Sequence, residues 1–162
     1  MRPALCLCGG LVVWLLAGCG FHLQGSEPLP AAFRTTRVLA TDRYTDFHRA
    51  LTESLQAAGA TVLEGAGTGA VVEVLEDLPT QRVLSVSASN TPTEYEVYYA
   101  IRYRVLIDGR EVIAPSRLEL SRDYSFDTGA ILAKEEEQEM IRLALARDLS
   151  GLVMRRLAAL QP

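Results

Sequence analysis

Between Tyr95 and Ile107 every second residue is apolar or aromatic: Tyr95, Val97, Tyr99, Ile101, Tyr103, Val105 and Ile107. Glu96, Arg102 and Arg104 lie among the positions between. Successive side chains of a strand point to opposite faces, so thirteen residues in this pattern specify one buried face and one solvated face. A helix cannot satisfy that period. Asp108-Gly109 follows, the pair best suited to a tight two-residue hairpin turn. The chain is therefore predicted to return through Val112 to Phe126, where Leu118, Leu120, Tyr124 and Phe126 continue one face and Pro115 marks an edge or a bulge.

Shorter β-leaning runs precede this hairpin. Arg37 to Thr41, with Val38 and Leu39, and Thr61 to Leu63 read as strands. From Val71 onward Val72, Val74 and Leu78 share one parity, and Leu84, Val86 and Ala88 share one in a further strand after Pro79. Thr45 and Asp46, both N-cap types, open a helical pattern in which Phe47, Leu51, Leu55 and Ala58 recur every three or four residues. Gly59 closes it, and Gly65, Gly67 and Gly69 mark a loop. A long helix is predicted from near Ile131, its apolar stripe traced by Ile141, Leu145, Leu149, Leu152, Val153, Leu157 and Leu160. Glu135, Glu136, Glu137 and Glu139 crowd its first turns while Arg155 and Arg156 sit near its end, the polarity a helix dipole favours. The expected class is α+β: two α-helices packed on one face of a mostly antiparallel β-sheet of about four strands.

The N-terminus sets the compartment. Arg2 is the only charge before Ala4 to Leu16, which is apolar or small throughout and ends in Leu16-Ala17-Gly18-Cys19. About a dozen apolar residues fall short of the ~20 that span a bilayer as a helix, and match an export signal. The final tetrapeptide resembles the bacterial lipobox, in which the cysteine thiol receives a diacylglycerol and cleavage leaves that cysteine first. Residues 1–18 are thus expected to be a lipoprotein signal peptide, 19–32 a lipid anchor and tether, and 33–162 a single domain. Cys6 and Cys8 leave with the signal, so Cys19 becomes the sole cysteine and no intramolecular disulfide can form. Acyl chains hold a protein to a bilayer at ~0.8 kcal/mol per buried methylene, with no spanning helix. Gly20, where an aspartate resembles an inner-membrane retention signal, favours the outer membrane.

At 162 residues there is room for one domain. Net charge is −4, and −5 once the segment carrying Arg2 is removed, so the footprint of a nucleic-acid binder is missing. Catalysis finds little support. A cysteine nucleophile would have to be Cys19, no Gly-x-Ser-x-Gly elbow exists, and the imidazoles are His22 in the tether and His48 on the first helix. The glutamates of the last helix come without histidine or aspartate at ligand spacing, so neither a metal nor another cofactor is expected. Gly65-x-Gly67-x-Gly69 lacks the Lys-Ser/Thr of a phosphate loop and precedes a strand.

Lys134, the only lysine, stands in the first turn of the last helix. A cation there meets the positive end of the dipole, at a cost of a few tenths of a kcal/mol. Two readings follow from the residues alone. Lys134 is either a solvated lysine offset by Glu137 or Gln138 one turn on, or, with the N–H groups of the helix start, a binding point for a phosphate or carboxylate.

Four blocks of the chain resemble one family. They are Ala17-Gly18-Cys19-Gly20-Phe21-His22-Leu23, Thr93-Glu94-Tyr95, Leu106-Ile107-Asp108-Gly109-Arg110, and Ala133-Lys134-Glu135-Glu136-Glu137-Gln138-Glu139-Met140-Ile141. In this order and spacing they look like the lipopolysaccharide-assembly lipoprotein LptE family, once called rare lipoprotein B. The resemblance implies two helices against a four-stranded sheet. It also implies a lipid-anchored outer-membrane protein, facing the periplasm, that plugs the lumen of the β-barrel LptD, helps that barrel assemble and takes part in lipopolysaccharide delivery to the outer leaflet. Lys134 matches the family's lipopolysaccharide-contacting lysine. A second basic contact is not matched, since Ala88 or its neighbours stand where the family can have arginine and Ser87 to Thr93 carries no charge. Gln24 likewise replaces an arginine often found after the Phe-His-Leu segment.

Two other classes share parts of this pattern. A lipoprotein scaffold on another envelope machine would carry the same lipobox without affecting lipopolysaccharide export. A lipid-handling carrier or enzyme would need a closed apolar cavity or a nucleophile.

Overall fold

In the computed structural model, which describes residues 29–65, 67–125 and 131–160, a short 3-10 turn at Ala31–Phe33 leads into β1 (Thr35–Ala40). Helix α1 (Asp46–Ala57) begins where the sequence places it, because the Thr45 hydroxyl accepts from the His48 backbone N–H at 3.2 Å. Its end is set by Gly59 at φ +86°, a conformation costly for other residues. The Gly59 N–H donates to Gln56 at 2.9 Å and the Ala60 N–H to Leu55 at 3.0 Å, which satisfies two carbonyls of the last turn. β2 (Thr61–Leu63) then returns beside β1.

β3 (Ala70–Val86), β4 (Pro92–Ile107) and β5 (Arg110–Ser125) follow as an antiparallel meander, and α2 (Ile131–Ala158) ends the fold. The β4–β5 turn is the expected one, with Asp108 at φ +50° and Gly109 at φ +77°. Asp108 also fastens the turn to the start of β3. Its N–H donates to the Gly69 carbonyl, and its carboxylate accepts from the Gly69 N–H, both at 3.1 Å.

The α+β class with two helices on one face is observed, with two differences in the sheet. It has five strands in the order β2-β1-β3-β4-β5, and it is mixed, since β1 runs parallel to both β2 and β3. Strands of three and six residues show β-character in the sequence but carry no mark of direction. The β1–α1–β2 crossover, closed by a helix, forces the parallel pairing of β1 with β2.

A second difference concerns Pro79. The residues around it belong to one strand of 17 residues, not two. Pairing with β1 stops at Val74, so beyond that point one flank of β3 is open and a proline is tolerated. A bulge at Leu75 between Val74 and Glu76 also reverses the parity. Val72 and Val74 lie opposite Val105 and Tyr103 on the core face, but Asp77 and Pro79 then take that face opposite Ile101 and Tyr99. Leu78, expected with Val72 and Val74, falls opposite Ala100 on the far face and is 50% exposed. Pro115 behaves as expected, lying on an edge strand where the register slips between Tyr103 and Val105.

Phe47, Leu51 and Leu55 of α1 and Leu145, Leu149, Val153 and Leu157 of α2 close over Tyr99, Ile101, Tyr103 and Val105. Arg142 pairs with Asp46 at 2.9 Å and, two turns on, Ser150 donates to the Ala50 carbonyl at 3.2 Å, so the helices run in the same direction. The small side chains of Ala50, Ser54 and Ser150 allow this close approach. The opposite face of the sheet is a charged ladder. Glu73 meets Arg104 and Glu76 meets Arg102, each at 2.6 Å, while Arg117 bridges Glu76 and Glu119.

Candidate functional site

Past Val74 the sheet narrows to β3, β4 and β5, whose core face is backed by the first half of α2. This end of the domain carries the polar and aromatic groups that the core does not use. At its tip Ser87-Ala88-Ser89-Asn90-Thr91 connects β3 to β4, with the Ser87 N–H donating to the Thr91 carbonyl at 2.8 Å. Asn90 adopts φ +60°, a left-handed conformation that asparagine accepts better than most residues. The Ser87 hydroxyl lies 2.8 Å from that of Ser89 and accepts from the Thr91 N–H at 3.2 Å, while Ala88, Ser89 and Asn90 are exposed.

One layer in, the hydroxyl of Ser85 lies 2.8 Å from that of Thr93 and donates to Glu94 at 2.8 Å. Tyr95 and Tyr124 then stack across the β4–β5 pair, their centroids 5.7 Å apart and their planes at 18°. The amide of Gln81 donates to the Tyr124 hydroxyl at 2.7 Å, and that hydroxyl reaches Gln138 of α2 at 3.4 Å. Burial, and then the nearby Tyr95 and Glu137, push the Tyr124 phenol above its ordinary range, so it stays protonated and acts as a donor. Val83, Leu84 and Val86 of β3 and Met140 of α2 leave apolar surface exposed around this end.

Lys134 lies in the first turn of α2, its ammonium donating to Glu137 at 2.6 Å. Its side chain is only 18% exposed. Among the described residues the arrangement has no acid–base pair held against a nucleophile, and no group of three or more His, Cys, Asp or Glu side chains could hold a metal ion. It offers a cation, a tyrosine pair with amide partners, and neighbouring apolar surface. Among the described residues no helix is long and apolar enough to cross a membrane.

Of the residues singled out in the sequence, Lys134 is thus placed beside Glu137, the partner that its spacing suggested. Ala88 sits in an uncharged, exposed turn. Cys19, His22, Gln24 and Phe126 lie outside the described residues. The Tyr95–Tyr124 stack and its Gln81–Gln138 frame were not anticipated, although both tyrosines stand on the core parity of their strands.

Residues 33–157 match the family described as LptE, Lipopolysaccharide-assembly. The chain is 27% identical over 150 residues to the LPS-assembly lipoprotein LptE of Pectobacterium atrosepticum, a match spanning 91% of this chain and 81% of that protein. Two solved structures share the fold. An uncharacterized lipoprotein B from Nitrosomonas europaea superposes with a TM-score of 0.70 at 25% identity, covering 86% of this chain and 91% of its own. The rare lipoprotein B of Shewanella oneidensis gives 0.67 at 23% identity, covering 77% and 94%. The relatives carry the names of lipoproteins, not of enzymes.

Proposed function

Because the chain belongs to the LptE lipopolysaccharide-assembly family, we propose that it is an outer-membrane lipoprotein that plugs and helps assemble the LptD β-barrel and takes part in delivering lipopolysaccharide to the outer leaflet. The observation that carries this reading is the extent of the match. It runs from Phe33 to Leu157, both fully buried core residues, so the whole folded domain shares the family pattern. In this reading residues 1–18 are the export signal, acylated Cys19 begins the anchor, and residues from 33 onward form the plug in the barrel lumen. Lys134 is its lipopolysaccharide contact. An ammonium beside the N–H groups of a helix start is a chemically suitable partner for the phosphates and carboxylates of that lipid.

With no charge from Ser87 to Thr93, the second cation is missing, and the affinity is modest and salt-dependent. Lys134→Glu weakens binding without unfolding the domain, since the gain of an acid at a helix start and the loss of the Glu137 pair are each only a few tenths of a kcal/mol and oppose one another. The functional test is depletion of the chain while newly made lipopolysaccharide is followed to the cell surface. Surface delivery should stop while synthesis continues; undiminished delivery would point to a scaffold of another envelope complex.

A further inference from the structure

We infer that Glu137 is a built-in competitor for the anionic ligand of Lys134, an internal carboxylate that an incoming phosphate must displace. The inference rests on the reading of Lys134 as the lipopolysaccharide contact and concerns what sets the strength of that contact. The ammonium is already engaged within the domain, at 2.6 Å from the Glu137 carboxylate. The pair is not fully solvated, with the lysine side chain 18% and the glutamate 39% exposed. An anion arriving from solvent therefore exchanges one carboxylate for another anionic group, and only the difference between the two appears as affinity.

Glu137 can be displaced without being stranded, because its side chain remains part-exposed to water. Glu135 and Glu136 carry the same charge on the same helix, but neither forms an ion pair among the described residues. They serve as controls for general electrostatics. The same chemistry gives selectivity. A singly charged headgroup gains little by replacing Glu137, whereas a doubly charged phosphate gains more, since a phosphate carries up to ~2 negative charges at neutral pH.

The experiment uses the full mature lipidated chain in detergent, with purified lipopolysaccharide as the probe. Affinities are compared for wild type, Glu137→Gln, Lys134→Gln, the double variant and Glu136→Gln. Glu137→Gln should bind about two- to fivefold more tightly, the range expected when a part-exposed ion pair no longer competes. Lys134→Gln should bind more weakly, the double variant should match Lys134→Gln, and Glu136→Gln should match wild type. Weakened Lys134→Gln with unchanged or weaker Glu137→Gln would overturn the inference and leave Lys134 as the contact. Gains of equal size from Glu136→Gln, or in the Lys134→Gln background, would also overturn it, as a general charge effect. Lys134→Gln binding as well as wild type would instead remove the reading of Lys134 itself.

Discussion

The Tyr99 hydroxyl donates to the Asp77 carboxylate at 2.7 Å while accepting from the Phe47 backbone N–H at 3.2 Å. One phenol thereby joins the centre of β4, the bulged segment of β3 and the first turn of α1. Burial, followed by the Asp77 carboxylate, drives its pKa far above the ordinary tyrosine range, so it is a donor at neutral pH. Tyr99→Phe keeps the ring but leaves Asp77 and the Phe47 N–H without this partner. The expected cost is about 1–3 kcal/mol, read as a lower midpoint of urea unfolding. An unchanged midpoint would show that the hydroxyl contributes no net stability.

His48 gives the fold a pH dependence. Burial is the main cause of its lowered pKa, and Arg43 acts in the same direction. The bond to the Val38 carbonyl and the charges of Asp77 and Asp42 oppose them without reversing the sign. The unfolded chain therefore binds this proton more readily than the folded one. The contribution of His48 to stability is complete above the ordinary value of 6.5 and is lost as pH falls through the lowered folded value. Wild-type unfolding midpoints should decline from pH 7.5 to 5.5, and His48→Gln should show a flatter decline. Equal slopes in the two proteins would assign the effect elsewhere.

The alternation of Tyr95 to Ile107 is legible because β4 packs one apolar face under the helices and lays the other, half-buried face along the charged ladder of Arg102 and Arg104, and period two records that difference. Direction is not recorded in the same way. β2 has three residues and β1 six, and their parallel pairing comes from the crossover through α1. The bulge at Leu75 is equally silent, since one inserted residue changes the face of Asp77 and Leu78 without changing composition. For the site, the Lys134–Glu137 pair follows from helical spacing. The tyrosine stack does not. Counting from the Asp108-Gly109 turn puts Tyr95 opposite Arg122, and only the slips between Tyr103 and Leu106 bring Tyr124 across.

Leu16-Ala17-Gly18-Cys19 at the end of an uncharged apolar run predicts a mature chain that begins at acylated Cys19. Mass spectrometry of the N-terminal peptide should find diacyl or triacyl mass on that cysteine. An unmodified Cys19, or a mature start elsewhere, would contradict the lipobox reading.

The tip of the sheet provides a geometric test of docking. Ser89 and Asn90 are exposed and uncharged, held by the hydrogen bonds of the Ser87–Thr91 turn. Photocrosslinkers placed at either position in cells should capture the barrel protein if this end enters its lumen. Intact complexes with no crosslink at either site would place another surface against the barrel wall.

The central claim, that this chain works as the lipoprotein partner of an outer-membrane barrel in lipopolysaccharide assembly, is tested most directly by what it is bound to. The full-length chain, tagged at its C-terminus and purified from envelopes in mild detergent, should bring down a large β-barrel protein in near-equal amount. Recovery of the chain alone, or with a different envelope complex while lipopolysaccharide export is intact, would contradict the account.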